Sequence, residues 1–277
     1  MSHIPEVKYF KYDEKMSLGN KRNIMHEKSR GDILVYMDDD DYYPAERVSH
    51  AVKKLLSRQN VLCAGSSLMH IYFNEQNKIY SFGPYGPNHA TAGTFAFKRE
   101  LLNQTSYDSS ACLAEEKHFL KNYTIPFIQL DSLKTILVFS HDQNTFDKRT
   151  LLHSKNPMVK ETNKKVDMII KDETVHNFYI NRLKTLNDDY EIGNPKYKPD
   201  VLKQQEEIAR KRQKQQQQQQ EQQPFITFTD NNGKLHSATS EQVAILLNNQ
   251  QSHINSLTNI LKSRDQEIAE LKARLVE

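Results

Sequence analysis

Asp38, Asp39, Asp40 and Asp41 stand in a row directly after the apolar run Ile33-Leu34-Val35-Tyr36-Met37. Four adjacent carboxylates repel, raise one another's pKa values and cannot all be buried ionised without a cation to answer them. Hard oxygen ligands suit Mg2+ or Mn2+, which take one or two carboxylates and complete their shells with water and substrate phosphates. Calcium fits less well: an EF-hand loop needs spaced oxygens, a central glycine and a glutamate at its twelfth position. Asp38 onward reads Asp-Asp-Asp-Asp-Tyr-Tyr-Pro instead. The competing reading is a solvated acidic turn ahead of a helix, where acids are favoured by the dipole.

The elements that must position these acids are legible around them. Lys21 to Ser29 reads as a helix ended by Gly31, and the run from Ile33 to Met37 reads as a strand buried on both faces, as in parallel sheets covered by helices. Acids just past its carboxyl end fall where open α/β sheets bind ligands. Pro44 opens a helix whose Val48, Ala51, Val52, Leu55 and Leu56 form one apolar face. Val61–Ala64, Leu68–Phe73 and Ile79–Phe82 are predicted strands, the last two joined by a turn at Asn74-Glu75-Gln76-Asn77. The glycines and prolines of residues 83–88 predict a loop rimming a cleft. Further on, Thr91–Phe97 is a predicted strand, Leu113–Asn122 a helix, and Ile125–Leu130 and Lys134–Ser140 strands, with His141 just past the last. Lys165–Leu186 is a predicted helix that braces the domain. Alternation of strand and helix predicts an α/β layer structure, with a mixed sheet because of the hairpin.

The 277 residues are too uneven in composition for a single globule. Aromatic and β-branched residues concentrate before about residue 190, whereas Lys203–Gln223 is nearly all Gln, Glu, Lys and Arg. A net charge of +3 with dispersed basic residues argues against nucleic acid as a partner, and Arg210-Lys211-Arg212 with Lys214 reads as a solvated face. Two cysteines, Cys63 and Cys112, without metal-type spacing point to a reducing compartment. No signal peptide or membrane-spanning run is visible, which predicts a cytoplasmic protein; Asn103-Gln-Thr and Asn122-Tyr-Thr are then accidental glycosylation matches. After the glutamine tract, residues 225–229 and a turn at residues 230–233 predict a hairpin. Leu247, Ile254, Leu261, Ile268 and Leu275 then recur every seven residues, with Leu257 and Leu271 at the second seam position and Gln250 and Arg264 as polar interruptions. That pattern predicts a coiled coil and a homo-oligomer, against the alternative of a helix docked on its own domain. The domains are thus residues 1–150, a helical extension 151–200, a Gln-rich linker 201–223, and a hairpin plus coiled-coil helix 224–277.

Gly19-Asn20-Lys21-Arg22-Asn23, the block Gly31 to Asp41 and the later Glu115-Glu116 together resemble glycosyltransferase family 2, nucleotide-sugar enzymes with the GT-A fold. The likeness runs to about residue 145, and within the family it is similar to transferases of large DNA viruses, which implies host cytoplasm or virion as a location. The expected fold is a GT-A-like mixed sheet flanked by helices, followed by the polar linker and the coiled coil. The resemblance implies that Asp38 faces the donor ribose with Asp39 beside it, and that Asp40, flanked by Asp41, holds Mn2+ or Mg2+ against the donor diphosphate. Lys21, Arg22 and Asn23 match the family segment before the strand. There Arg22 serves the phosphates, pins the acidic loop, or simply forms a salt bridge with an Asp. Glu116, beside Glu115, matches the family's catalytic base, and the alternative is that both acids favour a helix start. His141, in Ser140-His141-Asp142-Gln143-Asn144-Thr145, resembles a late histidine that meets the metal or diphosphate. Gly93-Thr94 corresponds to a segment lining the acceptor cleft.

The resemblance breaks at the start of the chain. The family places two βα units ahead of the acidic strand, and 37 residues before Asp38 cannot hold them, since one βαβ unit takes roughly 30 residues or more. A shortened domain leaves an exposed sheet edge. The leading expectation is a metal-dependent glycosyltransferase acting on a nucleotide sugar and a glycan or protein acceptor hydroxyl with inversion. The alternative is an inactive remnant serving as an oligomeric scaffold, and a third reading is an acidic or calcium-dependent binding module.

Overall fold

The structure is a computed structural model that describes residues 3–141, 143–144, 148–152, 156–189, 195–221, 225–229 and 233–274. The predicted turn at residues 230–232, and Asp142, Thr145 and Leu275, lie outside the described residues. In chain order the elements are α1 (Leu18–Lys28), β1 (Ile33–Val35), α2 (Arg47–Leu56), β2 (Cys63–Gly65), β3 (Met69–Phe73), β4 (Lys78–Phe82), β5 (Ala96–Lys98), α3 (Glu116–Phe119), β6 (Phe127–Gln129) and β7 (Leu137–Ser140). They continue with β8 (Val159–Glu161), α4 (Val166–Ile169), α5 (Glu173–Asn177), α6 (Leu183–Asp189), α7 (Pro199–Glu221), β9 (Phe225–Thr229), β10 (Leu235–Thr239) and α8 (Ser240–Arg274). The chain divides into two units, Met1–Glu206 and Glu207–Glu277.

The first unit is a mixed α/β structure with two four-stranded sheets, ordered β1-β5-β2-β6 and β7-β3-β4-β8. β2 pairs parallel with β6 and β3 parallel with β7, so the chain passes twice from the first sheet to the second in the same direction. Alternation along β1 decides its two faces. Leu34 and the following Tyr36 enter an aromatic core with Phe95, Phe97, Tyr107 and Phe119, whereas Ile33 and Val35 pack with Ala51 and Leu55 of α2. In the second sheet Tyr72, Leu137 and Phe139 face Val166 and Leu183, and Ile71, Phe73 and Val138 face the opposite way.

The structure departs from several sequence expectations. β1 is covered on both faces as expected, yet it pairs antiparallel with β5 and stands at the end of its sheet, so the apolar run reported burial and not strand direction. The helix before it ends at Ser29 in extended geometry, ahead of Gly31. On α2 only Arg47, Ala51 and Leu55 are buried, and Val48 and Leu56 are exposed. Residues 91–97 are a 3-10 turn at Ala92–Thr94 followed by β5, and the predicted helix over 113–122 contracts to the four residues of α3. The helix expected over 165–186 is broken into α4, α5, a π-helical turn at Phe178–Arg182 and α6. The turn at residues 74–77, the hairpin β3–β4 and the position of His141 just beyond β7 match the sequence reading.

In the second unit β9 and β10 pair antiparallel as a hairpin, and α8 runs 35 residues. The glutamine tract is helical as part of α7. Leu247, Ile254, Leu257, Leu261, Ile268 and Leu271 are all exposed on α8. No helix among the described residues is long and apolar enough to cross a membrane.

Candidate active site

The acidic residues lie on the crossing between the two sheets. Tyr36 N–H donates to the Phe95 carbonyl at 2.9 Å, and Tyr42 and Leu137 exchange backbone hydrogen bonds at 3.0 and 2.9 Å, so residues 37–41 span from β1 to β7. Arg47 fixes the near end. Its Nη2 donates to the carbonyls of Tyr36, Thr94 and Phe95 at 3.2, 2.9 and 2.8 Å. The side chain is buried, and that burial lowers its pKa to about 10. Tyr43 closes the turn: its hydroxyl accepts from Asp38 N–H at 2.8 Å and donates to the Gly93 carbonyl at 3.2 Å. A Cβ on Gly93 would stand 2.6 Å from Asp38 Oδ2, so glycine is what lets that carboxylate lie against the backbone.

The four aspartates occupy different environments. Asp39 is exposed. Asp38 opens to solvent yet is crowded by protein; partial desolvation first, then Asp40, Glu115 and Asp39, hold its carboxyl above the usual range against the pull of Arg22. Asp40 Oδ2 lies 3.1 Å from His141 Nε2 and accepts from Asn144 Nδ2 at 3.1 Å. Burial opposes its charge, but His141 and the ammonium of Lys148 outweigh that and leave it below the ordinary carboxylate range. Asp41 turns inward, 8% exposed, with Oδ1 accepting from Phe139 N–H at 2.9 Å. Burial and the neighbouring Asp40 push it up to about 8, with Lys148 and that N–H opposing. The tetrad therefore has an inner member bonded to β7, and Asp40 beside an imidazole.

The glutamate pair divides in the same way. Glu115 is buried and accepts from Arg22 Nε at 2.9 Å, and the Arg22 guanidinium stacks 4.8 Å from the centre of the Tyr36 ring. Burial works against the Arg22 charge, yet Tyr107, Glu115 and Asp38 hold its pKa above the ordinary value. Glu116 is half-buried, and desolvation followed by the charge of Glu115 raises it to about 7. Asn23 clamps Tyr107: Nδ2 donates to its carbonyl and Oδ1 accepts its N–H, both at 2.9 Å. Lys21 is exposed.

Four residues of this region have no signal in a pattern search. Arg47 falls on a helix face that periodicity assigns to core, and a charged residue there reads as solvent-facing. Asn144 is buried, donates to Asp40 and lies 2.9 Å from His141 Nε2, although its own stretch had been singled out only for the histidine. Lys148 acts on Asp40 and Asp41, and Lys198 comes from far along the chain to donate to the Gln143 carbonyl at 2.9 Å. Desolvation lowers the Lys198 pKa, with Lys15 and Lys21 adding to the effect and Asp40 opposing it. Among the described residues no three His, Cys, Asp or Glu side chains converge as a ready metal cage. Asp40 and His141 nevertheless offer one carboxylate and one imidazole, a set that fits Mg2+ or Mn2+ completed by substrate oxygens and water.

No curated protein matches this chain. Residues 2–121 match the family described as Glycosyl transferase family 2, a stretch that carries the acidic tetrad, Arg22 and both glutamates and that supports a glycosyltransferase in general.

Proposed function

We propose that the protein is a metal-dependent glycosyltransferase that moves a sugar from a nucleotide-sugar donor to an acceptor hydroxyl with inversion. One observation carries this reading: Arg22 donates to Glu115 at 2.9 Å and its charge also acts on Asp38, so two acidic centres far apart in sequence are gathered around one guanidinium. Asp40 and His141 would hold Mn2+ or Mg2+, which when bound stabilises negative charge on the departing nucleoside diphosphate. Asp38, backed by Gly93 and Tyr43, faces the donor, and Asp41 ties the loop to β7. Glu116 is the base. It takes the acceptor hydroxyl proton as that oxygen bonds to the anomeric carbon, while the bond to the diphosphate oxygen breaks and its electrons leave with the diphosphate. A pKa near 7 suits a group that must accept a proton at neutral pH.

The test is manganese-dependent transfer or hydrolysis across a panel of nucleotide sugars. Activity should appear with at least one donor and disappear in Asp40→Ala and Glu116→Gln; a folded protein inert toward the whole panel overturns the reading. The exposed apolar seam of α8 favours a second reading in which the chain self-associates through a coiled coil and acts as a scaffold. Oligomers lost on truncation at residue 223, with no donor binding at high manganese, would favour it.

A further inference from the structure

The stretch that matches the family ends at residue 121, yet α7 begins at Pro199, directly after the Lys198 that bonds to the loop of His141. Residues 198–204 tie three walls together. Lys198 Nζ donates to Gln143 O, the residue whose N–H donates to His141 Nδ1 at 3.2 Å. Asp200 pairs with Lys15 at 2.7 Å on the N-terminal segment. Gln204 Oε1 accepts from Cys112 N–H at 2.8 Å and its Nε2 donates to the Ser110 carbonyl at 2.9 Å, on the loop leading to Glu115.

This placement draws ammonium groups together. Asp200, two residues past Lys198, brings Lys15 to the same segment, and the charges of Lys15, Lys21 and Asp40 all act on Lys198. An ammonium has three donors, and Lys198 directs one to Gln143 O. Crowded cations are costly without an anion, and the carboxylate of Asp200 already belongs to Lys15. Lys15 and Lys21 also line a groove of about 940 Å³ between residues 8–16 and α1, where Tyr9, Phe10 and Tyr12 are exposed. Its size and its aromatic rings suit a nucleoside.

We infer that Lys198, with Lys15 and Lys21, forms the seat for the diphosphate of a nucleoside diphosphate, so that the start of α7 completes the donor site. The inference rests on the proposed donor chemistry and adds to it a cationic wall supplied by a segment outside the family match. A lysine here is a point charge for phosphate oxygens, complementary to a cation held by Asp40.

Calorimetry of the full chain with uridine and guanosine diphosphates, each with Mn2+, tests it. Lys198→Gln keeps a donor for the Gln143 carbonyl and removes the charge. It should weaken diphosphate binding about tenfold and flatten its salt dependence, leaving the melting temperature in place. Lys198→Arg should restore most of the affinity, and Lys203→Ala, an exposed change one turn along, should leave it unaltered. Wild-type binding that Lys198→Gln leaves intact overturns the inference while the proposed function stands. Absence of heat from the wild type with either nucleotide also overturns the inference, and the proposed function falls with it only if the folded protein is inert toward the whole donor panel.

Discussion

Two pairs of adjacent carboxylates, Asp40-Asp41 and Glu115-Glu116, are built on one plan, yet their outer members shift in opposite directions. In each, one acid is buried on a fixed partner, Phe139 N–H for Asp41 and Arg22 for Glu115. The other is only half-buried. Asp40 meets His141 and the charge of Lys148 and stays below the usual range, whereas Glu116 has its nearest charge in Glu115 and rises to about 7. A cation-ready carboxylate and a proton-accepting one thus arise from the same residue chemistry, and the difference lies in what stands beside the outer acid: His141 and Lys148 act on Asp40, whereas Arg22 is bonded to the inner Glu115. Arg22 is consumed by Glu115, so little of its charge relieves Glu116.

Breaking the outer member of the second pair should have the largest effect. Glu116→Gln is expected to lower kcat by about 10²- to 10⁴-fold with donor binding by calorimetry unchanged, since it removes proton transfer alone. Breaking the inner contact comes next: Arg22→Ala strands Glu115 as a buried charge and should cost on the order of 3–5 kcal/mol in urea unfolding, whereas Arg22→Met with Glu115→Leu should recover most of that. The corresponding change in the first pair is milder. Asp41→Ala leaves the Phe139 N–H unsatisfied at about 1–3 kcal/mol, and Asp41→Asn, which keeps an acceptor oxygen, should stay within about 1 kcal/mol of wild type. A pH profile sharpens the contrast. kcat/KM should fall about tenfold per unit below pH 7 as Glu116 takes up a proton, and the limb should vanish from any residual rate of Glu116→Gln. The same raised pKa has a sign for folding: the native state holds this proton more tightly than the unfolded chain, so its contribution to stability is present below about pH 4.5 and is lost as pH rises through 7. Metal-free melting of wild type against Glu116→Gln over that window reads it directly. The smallest effect belongs to Asp39→Asn, an exposed position, where donor affinity should change by less than about threefold.

Much of this site is written locally. An apolar run followed by four acids implies a strand end with charge to be answered, and His141 after another apolar run implies the same geometry from β7. Period-two alternation in β3, β4 and β7 is equally local, because each side chain's face follows from its backbone position. The shortened α3 and the broken segment from α4 to α6 were illegible for a related reason: propensity describes an isolated helix, and packing against the sheet decides where one stops.

What the sequence alone determined was therefore the inventory: which acids, which histidine, which apolar faces, and the seven-residue seam of α8. Tertiary structure alone decided their roles. Only folding set Glu115 on Arg22, turned Asp41 onto Phe139, buried Arg47 under three carbonyls and brought Lys198 to the Gln143 carbonyl. The physical reason is that a carboxylate's or ammonium's charge state depends on solvent access and on neighbours within a few ångströms, and those neighbours lie as far as 185 residues away along the chain, as Lys15 and Asp200 do.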